Sequence, residues 1–320
     1  MALLILPVKN GMLIHDGYIN LDIRIPVVTI GTFDGVHSGH RIILDKLIRK
    51  AKEINGESVV ITLNPHPRRF LSAEEQSLTF LTSMEEKKYL LEQCGVDHLV
   101  IIRFDLGFSR KEACEFIEEV LVKNIRTKHL IVGFNHRFGK GGQGDFQTIR
   151  KCAEKFDLSV EMIDEYRNGS GIVSSTAIRD ALLDGDLEKA NNMLGYSYFM
   201  NGTIIGGRKL GRALGYPTAN IKPDSSDKLI PKDGVYAVEI IIGNEKYSAV
   251  MSIGLNPTVN KDSDNRTIEA NIFNFKRDIY GETIRVVFRF RLRDEMTFGT
   301  LDDLVKQIEV DKNNALRLLS

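Results

Sequence analysis

Two histidines three residues apart, His37 and His40, close the stretch Gly31-Thr32-Phe33-Asp34-Gly35-Val36-His37-Ser38-Gly39-His40, and the chemistry open to them is phosphoryl chemistry. Residues 27–30 before them are apolar or β-branched and read as a buried strand; residues 41–53 after them read as a helix. Glycines let the backbone turn sharply and approach a ligand closely, and the first amides and positive dipole end of the following helix point back at the turn. A phosphate fits such a place. Histidines at i and i+3 share one helix face, where both can donate hydrogen bonds to a phosphoryl group that gains negative charge in a transition state. Neither has to act as a nucleophile. Any strand-to-helix turn can carry Gly and His; the preceding strand and the Gly-x-Phe-Asp-Gly-Val frame favour the phosphate reading here.

Other chemistry-bearing groups follow along the chain. In Asn64-Pro65-His66-Pro67 two prolines stiffen a turn and present His66, which taken alone is a turn with a satisfied histidine. Ser174, Ser175 and Thr176 at a helix start usually mean only a cap. Combined with Arg179 one turn on, and with the first loop elsewhere in the chain, they read as a second phosphate clamp. From Gly202 to Gly215 glycines are dense enough to carry a real entropic cost, which a merely structural loop rarely needs. The Pro217-Thr218-Ala219-Asn220 segment by itself is compatible with a plain turn. Glu269 by itself is compatible with a strand carboxylate facing water or an Arg.

The elements that must position these groups divide into two patterns. Up to about Asp184, apolar strands alternate with helices: strands at 58–63, 99–102, 129–132 and 159–163, helices at 84–94, 110–124 and 146–156. This predicts an α/β doubly wound parallel sheet, whose ligands sit beyond the carboxyl ends of the strands. Between residues 184 and 202 the character changes. Short β-branched or aromatic runs at 200–205, 234–242, 245–253, 266–272 and 283–291 predict a small antiparallel barrel, closed by an amphipathic helix over 300–319. The expected domains are residues 1–186 and 187–320.

Composition excludes several function classes. The 320 residues are 42% hydrophobic and 27% charged, with 43 Lys plus Arg against 43 Asp plus Glu, so no basic field draws in nucleic acid or a membrane surface. Small-molecule substrates are the expectation. No apolar run has the length of a membrane span, and the apolar stretch at 2–8 lacks a basic start and a cleavage site, so the chain is expected in the cytoplasm. Cys94, Cys114 and Cys152 are odd in number and widely spaced, which reads as buried thiols and against a disulfide framework or zinc site. The sequence leaves a homo-oligomer open.

Gly31 to His40 resembles the phosphate-binding loop of the His-x-Gly-His nucleotidyltransferases, in the Phe-Asp-Gly-Val-His form of bacterial FAD synthetases. The resemblance implies attack on the α-phosphorus of ATP with loss of pyrophosphate. In it His37 and His40 are catalytic, and Gly31, Phe33, Asp34, Gly35, Ser174, Ser175, Thr176 and Arg179 bind ATP. Asn64-Pro65-His66-Pro67 resembles the family's Phe-x-Pro-His-Pro segment and residues 133–139 its flavin-side segment, so that Asn64, His66, Asn135 and Arg137 would meet FMN.

From Gly202 onward the string resembles the riboflavin kinase motif. Gly207, Gly211, Arg212, Gly215, Pro217 and Arg293 would bind nucleotide or flavin, Thr218 and Asn220 would hold Mg²⁺, and Glu269 corresponds to the general base. Both motif sets occur in the order found in the bacterial family that joins riboflavin kinase to FMN adenylyltransferase. The implied activities are phosphorylation of riboflavin to FMN and adenylylation of FMN to FAD, each with ATP and Mg²⁺. Two alternatives are a monofunctional adenylyltransferase whose barrel only binds flavin, and a non-catalytic flavin sensor acting through a partner.

Overall fold

The computed structural model describes residues 11–71, 78–134, 137–169, 171–206, 216–255 and 266–320. The chain divides into two compact units, Met1–Leu78 with Lys87–Val173, and Thr79–Glu86 with Ser174–Ser320.

In the first unit the sheet-forming parallel strands are β1 (Leu13–Asp16), β2 (Pro26–Ile30), β3 (Glu57–Asn64), β4 (His98–Arg103), β5 (His129–Gly133) and β6 (Ser159–Ile163), beside a two-stranded ribbon of Arg167–Asn168 and Gly171–Ile172. They form one parallel sheet in the order β1-β4-β3-β2-β5-β6. The expected doubly wound sheet is present. Strand order runs outward from β2 in one direction through β3 and β4, and in the other through β5 and β6. The switch point therefore lies between β2 and β5, the place beyond whose strand ends such sheets bind their ligands. All five residues of β2 are buried, as a strand paired on both edges and covered on both faces requires. The edge strand β1 goes beyond the expected elements because its short, mostly exposed Leu-Ile-His-Asp carries no apolar alternation.

Helix α1 (Ser38–Glu53) lays Leu44, Leu47 and Ala51 on the sheet, and its last turn carries Lys50 and Lys52 against the negative dipole end. Helix α2 (Met84–Gln93) follows, belonging to this unit from Lys87 onward. The expected helix over 110–124 is instead a short α3 (Ala113–Phe116) running on as wider π-helical turns over Ile117–Asn124. Helix α4 (Phe146–Glu154) begins under the Asp145 cap.

The reading of three unpaired thiols is corrected for two of them: Cys114 on α3 and Cys152 on α4 form a disulfide across 5.3 Å between their Cα atoms. Helix packing brings together two cysteines that a spacing of 38 residues keeps apart in the sequence. Cys94 is free, and burial raises its thiol pKa.

In the second unit α5 (Ser175–Asp184) and α6 (Leu187–Leu194) precede a closed six-stranded antiparallel barrel. Its strands are β7 (Phe199–Ile205), β8 (Ala219–Pro223), β9 (Gly234–Ile242), β10 (Glu245–Leu255), β11 (Arg266–Ile272) and β12 (Thr283–Arg293), in the order β8-β11-β10-β9-β12-β7 with β7 paired back to β8. The barrel and its closing helix α7 (Leu301–Leu319) match the expected class. Strand β8 was expected as motif and turn, since five residues ending in Pro223 give little periodicity. Thr300 caps α7, and Ala315 packs on Ala237 and Phe273.

A buried ion pair fixes Thr79–Glu86 within this unit. Lys228 donates to Glu86 (2.7 Å) and to the carbonyls of Leu81 (2.6 Å) and Phe199 (2.7 Å), and lies 4.3 Å from the Tyr198 ring centre. Glu86 also accepts from the amides of Ser83 (2.9 Å) and Asn201 (2.7 Å). Both charges are thus saturated, the condition under which a buried pair is tolerated.

Candidate active sites

Residue order and backbone strain build the first site. After β2 the Gly31 amide bonds the Ile61 carbonyl on β3 (3.0 Å), and the chain then turns through positive φ at Phe33 (+48°), Gly35 (+82°) and Val36 (+37°). Left-handed conformations in Phe and Val are costly and persist where surrounding structure imposes them, often at functional sites. The turn delivers the chain to His37, which caps α1: its Nδ1 accepts from the His40 amide (3.3 Å). In the neutral ring this puts the proton on Nε2, leaving a donor on the ring's other side.

The His37 and His40 rings are stacked, 3.6 Å between centres at 16°, with Phe33 5.0 Å from His40. Gly39 makes room for this. A Cβ there would lie 3.3 Å from the His37 ring, which the stacking holds in place. Burial lowers the His37 pKa to about 4, and burial followed by the fields of His37 and Lys87 sets His40 well below 6.5. At neutral pH both rings are neutral hydrogen-bonding groups. His40 Nδ1 is buried with no hydrogen-bond partner among the described residues, an orphaned polar atom in a phosphate-type turn. Asp34 is buried beside them.

Around the same strand ends, Asn64 is the last residue of β3 and His66 follows, its Nδ1 accepting from the Arg68 amide (3.2 Å). Arg137 is exposed, within electrostatic reach of Asp145. Asn135 lies outside the described residues. Motif reading passed over two features of this unit. Phe134, just past β5, is 57% exposed and Phe70 is 39% exposed, apolar surface where a planar ligand can stack. Lys87 is buried near Asp34 and His40. Its one sequence signal is a lysine at a helical position otherwise occupied by the inward face.

Ser174, Ser175, Thr176 and Arg179 belong to the second unit. Ser174 caps α5 by accepting from the Ala177 amide (3.2 Å), Ser175 opens the helix, and Arg179 reaches Thr176 Oγ1 at 3.5 Å. The capping role is therefore present whatever else these residues do.

In the barrel, β11 alternates strictly: Ile268, Ala270 and Ile272 are buried, so Glu269 and Asn271 fall on the other face. Register sets Asn220 of β8 and Ser252 of β10 directly opposite Glu269. Thr218 Oγ1 donates to Glu269 Oε2 at 3.1 Å, and Asn271 Nδ2 to the Pro217 carbonyl at 2.8 Å. The structure thus brings Pro217, Thr218, Asn220 and Glu269 together. This is a neutral-oxygen and carboxylate set, suited to a hard cation that keeps water and phosphate in its other positions.

Arg293 is engaged elsewhere. Its Nε and Nη2 clasp Asp311 of α7 (3.1 and 2.7 Å), tying helix to barrel. Gly207, Gly211, Arg212 and Gly215 lie outside the described residues.

A parallel sheet with a strained phosphate turn at its switch point, followed by a closed barrel carrying a Thr-Asn-Glu cluster, is the build of a two-unit nucleotide-dependent transferase. Sequence comparison is specific. The FAD synthetase family profile matches residues 22–177 and the riboflavin kinase profile residues 194–319. The chain is 37% identical over 293 residues to a bifunctional riboflavin kinase/FMN adenylyltransferase of Listeria monocytogenes, covering 90% of each. It is 37% identical over 290 residues to that of Escherichia coli K12, covering 90% of this chain and 91% of the relative. For Bacillus subtilis the values are 34% over 299 residues and 92% of each. A crystal structure described as a macrolide-efflux protein from Streptococcus pneumoniae superposes with a TM-score of 0.86 at 31% identity, over 94% of this chain and 98% of that one. The chain belongs to the bifunctional riboflavin kinase/FMN adenylyltransferase family. No helix among the described residues is long and apolar enough to cross a membrane.

Proposed function

We propose that the chain carries out two ATP-dependent reactions in the cytoplasm on small-molecule substrates: riboflavin to FMN at the barrel, and FMN to FAD at the parallel-sheet unit. The observation that carries the second is the stacked, neutral His37–His40 pair at the start of α1, with a buried nitrogen left unpartnered. An FMN phosphate oxygen attacks the α-phosphorus of ATP and pyrophosphate leaves. His37, through Nε2–H, and His40 stabilise the charge that develops, while Gly31, Phe33, Asp34 and Gly35 of the turn bind ATP. On the strength of the family resemblance, Ser174, Ser175, Thr176 and Arg179 bind ATP phosphate, and Asn64, His66, Asn135 and Arg137 bind FMN.

In the barrel, Glu269 accepts the proton of the ribityl hydroxyl as it attacks the γ-phosphorus of a second ATP. Thr218 Oγ1, already hydrogen-bonded to Glu269, and Asn220, opposite it in register, would hold Mg²⁺. Bound there, the ion neutralises phosphate charge and orients the γ-phosphoryl group. Gly207, Gly211, Arg212, Gly215 and Pro217 bind nucleotide or flavin on the strength of the motif. Arg293, clasped by Asp311, acts by holding α7 against the barrel.

Incubating the full chain with ATP and Mg²⁺, once with riboflavin and once with FMN, and separating the products tests the proposal. FMN and FAD form from riboflavin, and FAD alone from FMN. FAD from FMN with no FMN from riboflavin would leave the barrel as a flavin-binding unit; no product from either would leave a sensor.

A further inference from the structure

Among the described residues two lysines are deeply buried, and they differ in what surrounds the ammonium. Lys228 is saturated by Glu86 and two carbonyls. Lys87, 7% exposed on the first turn of α2, makes no hydrogen bond or ion pair among the described residues. Buried lysines are rare unless paired, because a desolvated ammonium without a partner is strongly unfavourable. What lies near Lys87 is the phosphate turn: Asp34 on the loop and His40 on α1 are its electrostatic neighbours. His40 Nδ1 is itself buried without a hydrogen-bond partner. The Lys87 ammonium, with no hydrogen bond among the described residues, and the orphaned His40 Nδ1 therefore neighbour each other beside the start of α1, with the Asp34 carboxylate as the nearby opposite charge.

Resting on the reading that residues 31–40 take the substrates of adenylyl transfer, we propose that Lys87 is a phosphate-binding residue of that site, its ammonium taking a phosphate oxygen of ATP or FMN. Because His37 and His40 are neutral, they offer hydrogen bonds but no charge, and Lys87 supplies a positive charge that the histidine pair lacks. Burial lowers its pKa to about 8, opposed by the field of Asp34, so it is mostly protonated at neutral pH. Its other titratable neighbour, His40, is already neutral there.

The test uses the full chain with Lys87→Met, Lys87→Arg and His40→Ala. FAD formation is measured with ATP and FMN varied in turn, and riboflavin phosphorylation is the control for folding. Lys87→Met is expected to raise the KM for one of the two phosphate substrates tenfold or more, identifying which phosphate is bound, with riboflavin phosphorylation unchanged. Lys87→Arg restores most of the loss. In the parent protein the same KM climbs as pH rises through about 8, and in Lys87→Arg it stays flat there.

Unchanged kinetics in Lys87→Met overturn the proposal, as does a Lys87→Arg variant no better than Lys87→Met. If Lys87→Met loses both activities by misfolding, Lys87→Arg and the parent pH profile decide. A flat parent profile then overturns the proposal. His40→Ala separates the two levels: if it also leaves FAD formation intact, the loop itself has been misread. If it abolishes FAD formation while Lys87→Met does not, only Lys87 has been misassigned.

Discussion

His37 does two jobs in this structure, and replacing it by asparagine separates them. Its Nδ1 caps α1 by accepting the His40 amide, and its Nε2–H is the donor assigned to the transition state. Asn is a strong N-cap whose side-chain oxygen can take over the first job, but it lacks the reach and the ring for the second. His37→Ala should lose both: about 1 kcal/mol of stability for the cap, and about two to three decades of FAD formation for the donor, or roughly 3–4 kcal/mol of transition-state stabilisation. His37→Asn should recover most of the stability and none of the rate.

The buried ring also gives a pH signature. Its folded pKa of about 4 lies below the ordinary 6.5, so the unfolded chain binds the proton more readily and protonation favours unfolding. Above pH 6.5 the effect is absent. As pH falls it grows, reaching about 2.5 kcal/mol near pH 4.5 and about 3 kcal/mol below pH 4. His37→Asn removes this liability, so the urea midpoint of the variant should gain on that of the parent between pH 7.5 and 4.5. The assays are FAD formation at saturating ATP and FMN, riboflavin phosphorylation as the internal control, and urea unfolding at the two pH values. FAD formation at parental rate in His37→Asn would reduce the histidine to a cap. Parallel pH profiles of stability would show that its ring is not desolvated in the folded state.

Glu269→Gln should cut riboflavin phosphorylation by about 10²–10⁴-fold at saturation and leave flavin binding and FAD formation from added FMN in place. Asn220→Ala should instead raise the Mg²⁺ needed for half-maximal kinase rate, and a variant insensitive to added Mg²⁺ would remove Asn220 from the metal site. Lys228→Met leaves Glu86 as a buried charge and should destabilise the second unit by about 3–5 kcal/mol in urea unfolding; pairing it with Glu86→Gln should return much of the loss. A fragment of residues 1–186 should make FAD from FMN and no FMN from riboflavin. It should also melt below the full chain, since Thr79–Glu86 would lack the Lys228 ion pair and the Phe199 strand; a fragment without FAD-forming activity counts against a boundary at 186.

The features legible in the chain before folding are local in origin. The alternation of β-branched strands and amphipathic helices specified the doubly wound sheet, because each element's periodicity is written in consecutive residues. Glycine and histidine in fixed order specified the turn after β2, since its positive φ at Gly35 and the close approach of Gly39 to His37 are short-range demands. The period-2 burial of β11 likewise placed Glu269 on the face away from Ile268 and Ala270.

Partners that come from far along the chain are set by packing and pairing. Strand pairing set Asn220 opposite Glu269, 49 residues apart by their numbers, a register no single strand encodes. Packing of α3 beside α4 joined Cys114 to Cys152. Arg293 stands in a kinase-like motif, yet Asp311 holds it, because a carboxylate buried on α7 needs a guanidinium more than an exposed one does. Lys87 and Lys228 are alike as letters. They differ because one ammonium has Glu86 and two carbonyls within hydrogen-bond reach, while the other has no hydrogen bond among the described residues and has Asp34 and His40 of the phosphate turn as electrostatic neighbours.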